Sequence, residues 1–204
     1  MALVEIKDVS IERGGSIIVK NFSASLKPST ITAIIGPNGS GKSSLLAAIA
    51  GDISCSKGTI SINKSNVADL SLLEQAAVRS VVLQDRNYWL SYSVREVIAM
   101  GQSDDAIARI DEILIKLDMA DFADQRVTTL SGGEAQRVEI ARALIRHSEL
   151  YLLDEPLSAQ DARSKERIIE ILKQMRSEGK TILLIAHSDK RDLTWCDDVI
   201  DDLA

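Results

Sequence analysis

Gly36-Pro37-Asn38-Gly39-Ser40-Gly41-Lys42-Ser43 has the spacing G-x-x-x-x-G-K-S and follows the apolar run Ile31-Thr32-Ala33-Ile34-Ile35. Glycines at these positions let backbone N–H groups curl around an anion, and the start of a helix adds partial positive charge. Lys42 is placed to reach the outer phosphates of a nucleoside triphosphate, and the Ser43 hydroxyl is placed to reach Mg²⁺. Further along, Leu150-Tyr151-Leu152-Leu153 runs into adjacent carboxylates, Asp154 and Glu155, and then Pro156. One carboxylate at such a strand end can hold Mg²⁺ through its water shell, while its neighbour orients and deprotonates an attacking water. A third stretch, Leu130-Ser131-Gly132-Gly133-Glu134-Ala135-Gln136-Arg137, places S-x-x-E at a helix start, with glycines exposing N–H groups at its positive end. It reads as a second anion site.

The elements that must position these residues follow from the apolar pattern. Residues 3–9 and 17–26 read as strands, the second with Ile18, Phe22, Ala24 and Leu26 alternating against Asn21, Ser23 and Ser25. Arg13-Gly14-Gly15-Ser16 turns between them, and Lys27-Pro28-Ser29 turns into the strand ahead of the phosphate loop. Residues 44–50 form a buried helix that Gly51 stops. Thr59–Asn63 and Ser80–Leu83 read as further strands, the latter ending at Gln84-Asp85. Ser93-Val94-Arg95-Glu96 opens a short helix with a capping box, and Ile107, Ile110, Leu114 and Leu117 mark one face of a longer one. Residues 86–147 therefore read as a helical lobe inserted into an α/β core that resumes at Leu150, with a helix over 161–177 and a strand over 181–186. Strands alternating with helices predict a mostly parallel sheet.

Composition excludes some functions. The net charge of −6 across 204 residues provides no basic field for a nucleic-acid backbone. No apolar run is long enough to span a bilayer, and the first residues lack the basic-then-apolar form of a signal peptide, so a cytosolic protein is expected. Cys55 and Cys196 lack metal-ligand spacing and read as reduced structural thiols.

Taken together, these stretches resemble the ATP-binding cassette (ABC) family over essentially the whole chain. Residues 36–43 match its Walker A loop, Leu150–Asp154 its Walker B strand, Glu155 its catalytic carboxylate, and Leu130–Glu134 its LSGGE signature. Gln84 stands where the family has its Q-loop glutamine, Asp161 its D-loop aspartate and His187 its switch histidine. Taken singly, Gln84 reads as a surface amide and His187 as a satisfied strand-end histidine, and it is the order of the motifs that reverses this. The resemblance implies a P-loop NTPase fold of the ABC ATPase type: one α/β domain over 1–204 with a mostly parallel core sheet, a small antiparallel β subdomain and the inserted lobe. It implies ATP and Mg²⁺ as cofactors, with nucleotide bound by Gly36, Pro37, Asn38, Gly39, Ser40, Gly41, Lys42, Ser43 and Ser44. Ser43, Gln84 and Asp154 are implied at the metal, and Glu155, His187 and Gln84 in catalysis. Ser131, Gly132, Gly133 and Asp161 are implied to complete the site across a head-to-tail dimer with a second ABC ATPase chain, so that each chain holds two half-sites.

Three departures stand out. Near Arg13 the family often has an aromatic that stacks on adenine, and this sequence has none nearby; a guanidinium can stack too, which puts nucleotide selectivity in question. Gln160 replaces the apolar residue usual in the D-loop, and the sequence ends at Asp201-Asp202-Leu203-Ala204 without the usual closing hairpin. The expected function is an ATP-hydrolysing subunit that energises a membrane transporter, peripheral on the inner face of the cell membrane. Val94–Gly101 looks like the segment of metal-ion, iron-chelate or cobalamin importers, whose complexes can include an extracytoplasmic binding protein. Competing readings are an exporter subunit, a soluble ABC ATPase of translation or DNA repair, and a degenerate nucleotide-binding regulator; the presence of Glu155 and His187 opposes the last. Of two Trp, three Tyr and two Phe, Tyr88, Trp89 and Tyr92 cluster just after Gln84, either gripping a transmembrane permease subunit or packing the helical lobe.

Overall fold

The computed structural model describes residues 2–83, 91–201 and 203. The N-terminal part is a four-stranded antiparallel sheet in the order β2-β1-β4-β5, formed by β1 (Val4–Arg13), β2 (Ser16–Leu26), β4 (Lys57–Ile62) and β5 (Ser65–Asn66). The central sheet has the order β6-β7-β8-β3-β9, comprising β3 (Ile31–Ile34), β6 (Arg79–Val82), β7 (Leu150–Asp154), β8 (Thr181–Ile185) and β9 (Asp198–Ile200). Every neighbouring pair in it is parallel. The fold is thus α/β, with a parallel core sheet and a separate antiparallel one, as the alternation of strands and helices predicts.

Two-sided burial explains why the central strands are almost wholly apolar. Leu150, Leu152, Leu183, Ile185 and Ile34 face the antiparallel sheet and α1 (Lys42–Ala50). Tyr151, Leu153, Ile182, Leu184, Ile31 and Ala33 face the other way. That side is covered by α7 (Ala162–Ser177) and the helices between β6 and β7. Helix α7 is polar outside and buries Ile168, Leu172 and Met175, at the i, i+4, i+7 spacing of one helical stripe.

The register fixes the site. Asp154 pairs with Ile185 and Ile185 pairs with Ile34, so the carboxyl ends of β7, β8 and β3 lie level. These ends feed the Asp154-Glu155 pair, His187 and the phosphate loop. The carboxyl edge of an open parallel sheet is where such folds bind ligands.

Several expectations need correction. The alternation read for 17–26 breaks: Val19 is fully buried while Ile18 is only half-buried. The register between β1 and β2 shifts at Val9 and Ile11, and Asn21 turns into the left-handed region (φ 49°) with its N–H bonded to Ser10 Oγ at 3.0 Å. Such a bulge adds a residue and moves the apolar face by one position. The single helix marked by Ile107–Leu117 is two, α4 (Asp104–Ile107) and α5 (Ile110–Lys116), following α2 (Leu72–Val78) and α3 (Val94–Ala99) in chain order. Arg109 leaves the helical conformation at the break and donates to the Ile145 carbonyl, at the end of α6 (Gly132–Leu144), at 2.5 Å. Leu83 lies outside its strand and is half exposed.

Sequence reading missed α2 because Leu72 and Leu73 are more than four-fifths exposed and present no apolar stripe, although Ser71 and Glu74 form a capping box. Both cysteines are free and partly buried, and burial pushes the Cys196 thiol up to about 12, as suits an inert structural residue. Because Leu172 is buried where α7 meets the sheet, Leu172→Ala is expected to cost about 2–5 kcal/mol, measurable as a lower denaturation midpoint with unchanged m-value.

Candidate nucleotide site

The loop after β3 opens on Gly36 and closes on Gly41, which caps α1 with φ 93°. A Cβ on Gly41 would sit 2.7 Å from Val19 Cγ2 and 2.9 Å from Ile18 Cγ2, so the loop lies hard against β2 and admits only glycine there. Lys42 is buried, and its ammonium group donates to the carbonyls of Gly36 and Pro37, both at 2.9 Å. These contacts fold the lysine over the loop and hold the charge at the mouth of the cradle. The Ser40 hydroxyl is buried in the same loop without a hydrogen-bond partner.

Asp154 is the last residue of β7 and is buried at 4% exposure. Burial pushes its carboxyl pKa up, and a hydrogen bond from Ser43 pulls the other way. Its Oδ1 has no hydrogen-bond partner. Glu155 turns out of the strand with φ 50°, in the left-handed region that costs a non-glycine residue about 1–3 kcal/mol. That turn swings its carboxylate toward His187, whose Nε2 lies 2.5 Å from Glu155 Oε1. The strain is held by the turn that follows: Ser158 donates to the Glu155 carbonyl from its N–H (3.2 Å) and its hydroxyl (3.0 Å).

A cleft of about 610 Å³ joins these groups, lined by Arg13, Ile18, Asn38, Gly39, Gly41, Lys42, Ser43, Ser44, Glu155 and His187. Arg13 comes from the tip of the β1–β2 hairpin, so the residue singled out near the expected base position does face the cleft. Ser131, Gly132, Gly133 and Asp161 do not line it. Ser131 caps α6 in a reciprocal box with Glu134, its N–H donating to Glu134 Oε2 at 2.7 Å. Asp161 caps α7 by accepting from Ser164 N and Oγ at 2.9 and 3.0 Å. Gln84, Tyr88 and Trp89 lie outside the described residues, whereas Tyr92 is 40% exposed. Sequence reasoning missed Gln136, a fully buried amide one helical turn past Gly132. Its signal was only a polar residue on the core-facing side of α6.

A strand–glycine loop–helix unit at the carboxyl edge of a parallel sheet, with a buried carboxylate at the end of the next strand but one, defines a P-loop nucleotide-binding protein. The signature helix narrows this class, and the chain belongs to the ABC transporter family, which its residues 19–158 match. It is 34% identical over 188 residues to a hemin import ATP-binding protein of Rhodococcus jostii, covering 88% of this chain and 64% of the relative. It is 31% identical over 206 residues to a cobalamin import ATP-binding protein of Halobacterium salinarum, covering 97% of this chain and 52% of the relative. The chain thus spans between about half and two-thirds of the length of these relatives. Among solved structures, a dimeric ATP-binding cassette in a post-hydrolysis state bound to ADP and Pi superposes with a TM-score of 0.83 at 27% identity, covering 97% of this chain and 94% of that one.

Because Asp154 is a buried carboxylate with an unpartnered oxygen, Asp154→Asn keeps the shape and removes the charge. Its melting temperature without nucleotide is expected to rise by about 2–4 °C, the equivalent of about 1 kcal/mol for a chain of this size. Differential scanning calorimetry of the two proteins checks this.

Proposed function

We propose that this chain hydrolyses ATP with Mg²⁺ as the energising subunit of an ABC importer, whose cargo is a metal chelate of the heme or cobalamin type. The observation that carries the proposal is the placement of Glu155, held by His187, across one cleft from Lys42 and Ser43. The cargo class rests on the similarity to hemin and cobalamin import proteins.

In the proposed reaction, loop N–H groups from Asn38 to Ser44 and the Lys42 ammonium hold the β- and γ-phosphates in line. Lys42 exchanges its Gly36 and Pro37 carbonyls for phosphate oxygens when nucleotide enters. Glu155 accepts the proton of the attacking water. His187 holds that carboxylate over the cleft through Nε2 and, when nucleotide enters, turns the same N–H from Glu155 to the γ-phosphate. Mg²⁺ fits this donor set: Asp154 Oδ1 is a buried oxygen lacking a partner, and Ser43, which bonds Asp154, adds a hydroxyl. Asp154, Ser43 and Gln84 would hold the ion, which would supply positive charge against the charge developing on the phosphates.

Ser131, Gly132, Gly133 and Asp161 then serve the nucleotide of a second chain packed head to tail. Supporting this, they stay outside their own chain's cleft, and the dimeric cassette is a close match in fold. Residues 1–204 act as one cassette, with the helical lobe over about 86–147. The membrane path in this reading belongs to a permease subunit, and among the described residues no helix is long and apolar enough to cross a membrane. The chain sits peripherally on the cytoplasmic face, and an extracytoplasmic binding protein completes the importer. Tyr92 is an exposed aromatic on the lobe side, consistent with Tyr88, Trp89 and Tyr92 as the grip on the permease.

Glu155→Gln is expected to bind ATP normally while hydrolysis falls by about 10²–10⁴, the usual worth of a general base. Steady-state ATPase assays together with an ATP-binding isotherm test this; near-normal turnover would sink the assigned role. Trp89→Ala should leave melting temperature and ATPase activity of the isolated chain unchanged while weakening co-purification with the permease. A large drop in melting temperature would instead place Trp89 in the core.

A further inference from the structure

Gln160, which stands where the family usually has an apolar side chain, is itself buried at 7% exposure. Its amide orientation is dictated by its neighbours. Arg137 can only donate, and its Nη1 lies 3.0 Å from Gln160 Oε1, so Gln160 Nε2 must point the other way. There it donates to the Gly133 carbonyl and to Gln136 Oε1, both at 3.0 Å. With its oxygen thus engaged, Gln136 turns its own Nε2 to the backbone carbonyl of Glu155 at 2.6 Å. The result is a directional chain of donors, Arg137 to Gln160 to Gln136 to Glu155. The same loop is pressed against α6: a Cβ on Gly133 would lie 2.6 Å from the Ala159 carbonyl. Arg137 also donates to Ser164 Oγ at 3.0 Å, tying the start of α7 into the cluster.

We propose that Gln160 is a positioning residue that, through Gln136, holds the backbone of Glu155 in its left-handed turn and so keeps the carboxylate over the cleft. Ser158 braces the same carbonyl from within the turn; Gln136 braces it from the signature helix. The orientation of Glu155 therefore depends on where α6 starts, and a displacement of the signature reaches the base through two amides. This rests on the reading of Glu155 as the general base.

The test uses Gln160→Leu, Gln136→Leu, the double variant, and Gln160→Leu combined with Glu155→Gln, measuring kcat, KM for ATP and melting temperature. Gln160→Leu should lower kcat by about 10- to 100-fold, the effect of misplacing a reacting group by about 1 Å, with KM for ATP little changed. Gln160→Leu leaves Gln136 Oε1 without its donor, Gln136→Leu leaves Gln160 Nε2 with the Gly133 carbonyl alone, and each should melt lower. Replacing both by apolar side chains removes the mismatch between the two amides but not the loss at the Gly133 carbonyl, so the double variant should recover part of the melting temperature while kcat stays low. On the Glu155→Gln background, Gln160→Leu should cause no further loss, because both act through one group. A kcat that recovers along with the melting temperature, a full second loss on the Glu155→Gln background, or wild-type kcat in Gln160→Leu beside an inactive Glu155→Gln overturns the positioning role. Failure of the base assignment shows separately, as near-normal turnover of Glu155→Gln alone.

Discussion

The ladder that pairs Asp154 with Ile185 and Ile185 with Ile34 is the constraint on which the rest of the molecule depends. It sets the ends of three strands at one height, and three strand-end loops then meet without any of them having to be long. A one-residue slip in this register would exchange the two faces of a strand as well as shift its end. Here that would turn Leu150 and Leu152 away from the antiparallel sheet and carry Asp154 out of reach of Ser43. Burial on both faces of the sheet is therefore what holds the chemistry in register, and it explains why so many apolar residues far from the cleft bear on it.

Within that frame the site stores unfavourable features that a structural region would shed. A carboxylate is buried with an oxygen unpaired, a hydroxyl in the loop has no partner, and a glutamate stands in a conformation suited to glycine. Under the proposed function each makes sense as preparation for charge that arrives with the nucleotide, since groups already aimed and desolvated need not reorganise during reaction. The lysine contrasts with these, being satisfied by the loop's own carbonyls before ligand enters.

The parts of the fold and site legible in the sequence were those whose side chains encode their own geometry. Gly41, Lys42 and the Asp154-Glu155 pair declare themselves by type and spacing, and the capping boxes at Ser93 and Ser131 lie where the S-x-x-E patterns put them. What failed depended on partners distant in sequence. The bulge at Asn21 is set by Ser10 across the hairpin, and the break at Arg109 by the carbonyl of Ile145. Helix α2 escaped notice because its leucines face outward, leaving no stripe to detect. Strand β9 was missed because three residues carry too little pattern, and its existence rests on β3 lying beside it.

The contact of Gly41 with Ile18 and Val19 has a further consequence, for how this loop can be inherited. Since the hairpin strand is the wall against which the phosphate loop is moulded, the eight residues of the loop are not a portable cassette in themselves. Transplanted onto another parallel sheet without a flat aliphatic surface at that height, they would keep their sequence and lose their curvature. Any lineage that exchanges the hairpin must preserve the girth of residues 18 and 19 or lose the curvature of the loop.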